Sequence, residues 1–171
     1  AALGEMYYGA ARGMKDFIVI TLGTGVGSGI VIDGKLVYGH DGFAGELGHV
    51  RVIRHNGRAC GCGSVGCLET YCSAPGIART ARELLETQID TPSVLRDIDN
   101  ITAKDVQEAA FAGDNIANQV YAFTGRILGE ALANFIAFSA PEAIILFGGV
   151  AKARGLLYEP AVKAMNETVC P

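Results

Sequence analysis

The sequence predicts a mixed α/β domain. Three observations carry this: β-branched runs and a hairpin signal open the chain, helical periodicity fills its second half, and a lone apolar run returns near the end. With 171 residues the chain is long enough for one compact domain with a substantial core. A hydrophobic share of 50% against 19% charged excludes a disordered tail.

The elements follow in order. Ala1 to Arg12 is rich in Ala, Leu, Met and Glu and reads as the tail of a helix ending near Gly13. It lacks an initiator Met and an N-cap, so the chain is expected to start inside an element, as a piece of a longer protein would. Phe17 to Leu22 and Gly29 to Ile32 are β-branched runs, and Asp33-Gly34 is a hairpin turn leading to a strand over Lys35 to Tyr38. Together they predict a three-stranded antiparallel meander. Asp41 to Cys72 is glycine-rich with little periodicity.

From Pro75 the pattern turns helical, with Ile77, Ala81, Leu84 and Leu85 on one face. Thr87 to Asn100 reads as a loop. Thr102 to Asp105 resembles a capping box before a short helix that Gly113 interrupts. Asp114 caps a long helix with Ile116, Val120, Phe123, Ile127, Ala131 and Phe135 in register. Ala143 to Phe147 reads as a buried strand, Gly148-Gly149 as a turn, and Gly155 to Val169 as a final helix.

Several function classes drop out. The net charge of −4, with no run of Lys or Arg, argues against a nucleic-acid surface. No apolar stretch approaches the roughly 20 residues that span a bilayer. The first residues show neither the basic region nor the apolar block of a signal peptide. A cytoplasmic protein without membrane contact is expected.

The five cysteines are unevenly placed: Cys60, Cys62 and Cys67 share a tight glycine-rich loop, Cys72 follows, and Cys170 stands at the far end. An odd, clustered set suggests metal rather than disulfides. Zinc takes four thiolate or imidazole ligands in a tetrahedron. The fourth ligand comes from His40, His49, His55 or Cys72. His49 is preferred because it follows the turn-like Gly45-Glu46-Leu47-Gly48. The spacing is not that of a nucleic-acid finger.

Gly23-Thr24-Gly25-Val26-Gly27-Ser28-Gly29 lies between two strands. A dinucleotide fingerprint would need a helix after it. Such a turn can hold phosphate oxygens on its N–H groups and the Thr24 hydroxyl, or be an ordinary glycine-rich turn. Gly148-Gly149 likewise can admit a flat base or ribose, or simply punctuate. Glu46 and Glu69 bracket the cysteine loop, and a carboxylate can accept from two vicinal sugar hydroxyls.

Together these segments resemble the ROK family of repressors, open reading frames and sugar kinases, with the glucokinase-type members most alike. The resemblance runs through Leu22 to Gly29, through Gly45 to His49 with Cys60 to Glu69, and through Ile145 to Val150. It implies an actin-like, ribonuclease-H-like two-lobed ATPase fold. Residues 1–171 would be most of the C-terminal lobe, with a zinc- and sugar-binding insert at 40–72. It further implies that Glu46, His49 and Glu69 contact a hexose and that His49, Cys60, Cys62 and Cys67 hold a structural zinc. Thr24 and Gly25 would approach the ATP phosphates, with Gly148 and Gly149 near the nucleoside.

His49 can serve both zinc and sugar, one ring nitrogen for each. The family's first phosphate loop and its Asn-Asp pair, whose aspartate is the base on the sugar hydroxyl, are absent. The base is expected just upstream of Ala1, so this chain alone is expected to be inactive. The full-length protein is expected to be an ATP- and Mg2+-dependent hexose kinase. The alternative is a sugar-responsive repressor, if a helix-turn-helix precedes Ala1. The mean hydropathy of +0.28 suggests apolar faces that favour a homo-oligomer.

Overall fold

The computed structural model describes residues 1–169; Cys170 lies outside them. Four strands, β1 (Phe17–Leu22), β2 (Val26–Ile32), β3 (Lys35–Leu36) and β4 (Ala143–Phe147), form one mixed sheet in the order β3-β2-β1-β4. β1 pairs antiparallel with β2 and parallel with β4. The meander turns at Asp33 and Gly34, whose φ values of 48° and 71° suit the tight hairpin turn expected of this pair. β3 is shorter than expected. Val37 N–H still donates to Ile30 O, but beyond it the chain leaves the sheet, and the Tyr38 carbonyl accepts from the Ala44 N–H instead.

Alternation along β1 divides the core between the two faces of the sheet. Ile18, Ile20 and Leu22 point into a large cluster that includes Ile77, Ile127 and Leu157. Phe17 and Val19 point the other way, into a smaller cluster with Ala2, Ala11 and Val31. The smaller cluster is covered by α1 (Ala2–Tyr8), which ends earlier than expected. The Glu5 carboxylate folds back to accept from the Ala10 N–H at 2.8 Å, drawing the chain out of the helix.

The other face carries α2 (Glu69–Cys72), α3 (Ala74–Thr87), α4 (Ala103–Phe111), α5 (Asn115–Ser139) and α6 (Gly155–Thr168). The starts of α3, α4 and α5 are where the capping residues put them. Ser73 accepts from Gly76 N–H, Asp114 from Ala117 N–H, and Thr102 and Asp105 form a reciprocal capping box. The predicted α5 stripe is buried, except that Phe123 is half-buried. β4 departs from expectation. It pairs only with β1 among the described strands, so its residues are half-buried and Phe147 is 56% exposed. No helix among the described residues is long and apolar enough to cross a membrane.

α5 and α6 pack backbone to backbone, which explains a glycine in the middle of α5. A Cβ at Gly129 would collide with the Ala161 carbonyl of α6, a fixed obstacle. Gly→Ala in an open helix stabilises by roughly 1 kcal/mol. Here Gly129→Ala is expected to destabilise by about 1–3 kcal/mol, because α6 must move away. Urea unfolding measures the sign, and an unchanged or higher midpoint would contradict this packing.

Candidate metal centre and ligand cleft

The cysteine loop is shaped by backbone pairing. Cys60 N–H donates to Ser64 O at 2.9 Å and Gly63 N–H to Cys60 O at 3.0 Å, closing a tight turn. Isolated bridges join Ala59 to Val65 and Arg51 to Cys67, folding the loop back beside His49. His49 ends a single 3-10 turn, Leu47–His49. That turn is braced on β2 by Ser28, whose hydroxyl donates to Gly45 O and accepts from Leu47 N–H at 3.2 Å.

One ligand atom from each of His49, Cys60, Cys62 and Cys67 lies within 4.8 Å of all the others. Cys60 Sγ is 3.6 Å from His49 Nδ1, and Cys62 Sγ is 3.7 Å from Cys67 Sγ. A tetrahedron with metal–sulfur bonds of ~2.3 Å and metal–nitrogen bonds of ~2.0 Å has edges of about 3.6–3.8 Å. The donor set and its spacing therefore fit a tetrahedral metal ion. Of the other donors weighed from the sequence, Cys72 is fully buried, and its thiol donates to Thr124 O; His40 and His55 are outside the cluster. Burial, aided by the neighbouring Cys60 and Cys62, pushes the Cys67 thiol up to about 12. The Ser64 backbone and the Cys60 side chain draw the exposed Cys62 thiol down.

The other ring nitrogen, His49 Nε2, faces Glu46 at 3.9 Å. Glu46 is exposed and Glu69 half-buried at the start of α2. Glu69 Oε2 accepts from Val26 N–H at 3.0 Å, so this carboxylate stands against the glycine loop as well as beside the cysteine loop.

The parallel pairing of β1 and β4 brings the two glycine segments together. Thr21 is opposite Phe147, so Gly23 and Gly148 leave the sheet side by side at its carboxyl end. The two members of the glycine pair differ. Gly148, at φ 108°, lies so close to the Leu22 carbonyl that any Cβ would collide with it. Gly149 instead lines a cavity of about 480 Å³ with Gly23, Thr24, Ala74, Lys104 and Gln107. Gly25 does not line it.

Sequence reasoning missed Ser28, Lys104, Gln107 and Arg58. Arg58 is 7% exposed. Its guanidinium donates to Thr70 O, Gly76 O, Thr80 Oγ1 and Glu83 Oε2 and lies 4.6 Å from the Tyr71 ring centroid. It ties the cysteine loop to α2 and α3. An arginine in a loop carries no sequence signal of burial; only its proximity to Cys60 hinted at a role.

A mixed sheet with two glycine turns at its carboxyl end and a cleft between them, with a Cys3His cluster beside it, defines the class: the actin-like ATPase folds. The chain belongs to the ROK family, whose model matches residues 1–170. It is 47% identical over 163 residues to a glucokinase of Halalkalibacterium halodurans, covering 94% of this chain and 49% of that protein. It is 34% identical over 167 residues to the DNA-binding transcriptional dual regulator NagC of Escherichia coli, covering 98% and 40%. Among solved structures, a ROK family glucokinase from Streptomyces griseus in complex with glucose and AMPPNP superposes with a TM-score of 0.90 at 37% identity, covering 99% of this chain and 56% of that one. The chain spans about half the length of the curated relatives it matches.

Two predictions follow from the site's chemistry. Cys67→Ala is expected to lower bound zinc from about one ion per chain to a small fraction of that, since three ligands hold the ion far less tightly. Metal analysis of the purified variant checks it; full retention would remove Cys67 from the ligand set. The second concerns Glu83. Burial raises its carboxyl, but the bonds from Arg58 and Arg79 outweigh that and hold it below the usual range. A depressed folded pKa stabilises above the unfolded value of about 4.3, and that contribution disappears as pH falls through the folded value. Glu83 is nearly half exposed, so solvent screens it, and Glu83→Gln is expected to cost only about 1 kcal/mol at pH 7. The gap between variant and wild type should begin to narrow as pH falls below the unfolded value and vanish below the folded one. A gap independent of pH in urea titrations would contradict the ion pair.

Proposed function

We propose that the full-length protein phosphorylates a hexose with ATP and that these residues form the metal-shaped sugar wall and part of the nucleotide wall of its cleft. The carrying observation is the His49 ring. One nitrogen is at ligand distance from the cysteine cluster, and the other faces Glu46. The similarity to glucokinases, one of them in complex with glucose and AMPPNP, supports the same reading.

In this reading Glu46 and Glu69 accept hydrogen bonds from sugar hydroxyls, each carboxylate offering two oxygens. His49 uses Nδ1 toward zinc, with Cys60, Cys62 and Cys67, and Nε2 toward a hydroxyl, so the metal sets the tautomer and the angle of the ring. The zinc role is structural, because four protein ligands leave no position for a reacting group. Thr24 and the N–H groups around Gly25 hold phosphate oxygens, while Gly149 lets the nucleoside approach the backbone beside Gly148. ATP with Mg2+ supplies the phosphoryl group and the charge that stabilises its transfer. Residues of this chain bind and orient; none is assigned as the base on the attacking hydroxyl.

A second reading, a sugar-responsive repressor, is favoured by the similarity to NagC. Both readings use the same sugar wall. The intact glycine loop from Gly23 to Gly29 supports the kinase. A coupled assay on the full-length protein with glucose and its amino-sugar relatives is expected to show ATP-dependent turnover. Sugar binding without turnover of any of them would sink the kinase and leave the repressor.

A further inference from the structure

The turn from Gly23 to Val26 is held at three points outside the sheet ladder. Gly23 N–H donates to Gly25 O at 3.0 Å within the loop, and Gly23 O accepts from Ala74 N–H, the first residue of α3, at 2.7 Å. The third point is Glu69 Oε2, which accepts from Val26 N–H across 43 residues of chain. Of the three, only this one is made by a side chain. The fit there is tight, since a Cβ on Gly25 would lie 2.5 Å from Glu69 Oε2. Glu69 forms no ion pair among the described residues, and its second oxygen, Oε1, has no hydrogen-bond partner there. Arg58 fixes the base of this arrangement by binding Thr70 O, one residue along α2.

We propose that Glu69 is a positioning residue for the nucleotide loop as well as a hexose ligand, dividing its two oxygens between the Val26 amide and the sugar. This rests on the ligand assignments proposed above. The consequence is mechanical. The turn at Gly25 keeps its shape only while a hydrogen-bond acceptor occupies the Oε2 position. The sugar-side carboxylate keeps its place only while Gly25 has no side chain. Each half of the cleft therefore carries a residue whose replacement damages the other half.

The test uses the zinc-loaded full-length protein, with AMPPNP–Mg2+ titrated without sugar and glucose titrated without nucleotide. Glu69→Gln keeps an acceptor for Val26 N–H but loses the carboxylate. It is expected to weaken glucose about tenfold while leaving AMPPNP within about twofold of wild type. Glu69→Ala should weaken glucose similarly and AMPPNP by about fivefold. Gly25→Ala, although it lies in the nucleotide loop, should weaken glucose about fivefold, and it should add nothing to that loss in the Glu69→Ala background.

AMPPNP affinity unchanged in Glu69→Ala, or reduced equally in Glu69→Gln, would overturn the proposal. If Glu69→Ala does not fold, Gly25→Ala decides: unchanged glucose affinity overturns the coupling. A wild-type protein that binds neither ligand would instead remove the proposed function, and the inference with it.

Discussion

Parallel pairing of β1 with β4 is the constraint on which the other features hang. Two parallel neighbours cannot be joined by a tight turn, so the chain must travel the length of the sheet between leaving β1 and entering β4. In this protein the journey takes in the meander, the cysteine loop and four helices. Its result is that the segments after both strands emerge at the same end of the sheet, where Gly23 and Gly148 are neighbours although 125 residues apart in numbering. A cleft between glycine turns is then a property of topology rather than of any one side chain.

A buried cation makes the irregular part of the molecule as definite as the helices around it. The cysteine loop has almost no regular secondary structure and few apolar residues of its own. Its hold on the helical layer passes through Arg58, whose planar group meets two carbonyls, a hydroxyl, a carboxylate and an aromatic face. A charge so enclosed is costly unless it is fully partnered, and the arrangement specifies one docking of loop on helix because few others would satisfy it. Arg58 and the proposed metal ligand Cys60 stand two residues apart on this loop. The loop is thus clamped from within by its own donors and from outside by α2 and α3.

Two different kinds of glycine serve this molecule, and they look alike in the sequence. Gly149 lies open beside a cleft. Gly129 and Gly148 are filled positions, where neighbouring backbone takes the space a side chain would need. The distinction matters for the glycine pair after β4, which reads either as punctuation or as a nucleotide contact. The structure separates the two residues: Gly148 packs on the end of β1, and Gly149 faces the cavity.

Local chemistry made much of the fold legible. Caps at Thr102 and Asp114, the Asp33-Gly34 turn and the periodicity of α5 depend on residues a few positions apart, and the sequence by itself determined them. It also placed three of the proposed metal ligands, Cys60, Cys62 and Cys67, on one glycine-rich loop, but it left four candidates for the fourth donor, of which the fold brings His49 to the cluster. Strand limits and burial were decided by tertiary structure: β3 stops where the chain is pulled off the sheet, and β4 is half-exposed because only one neighbour covers it. Tertiary structure alone showed that Arg58 is buried, that Ser28 braces the His49 turn, and that Glu69 reaches the Val26 amide. These contacts span 12 to 43 residues. Whether a long polar side chain is solvated or enclosed depends on what the rest of the chain brings to it, which no local pattern records.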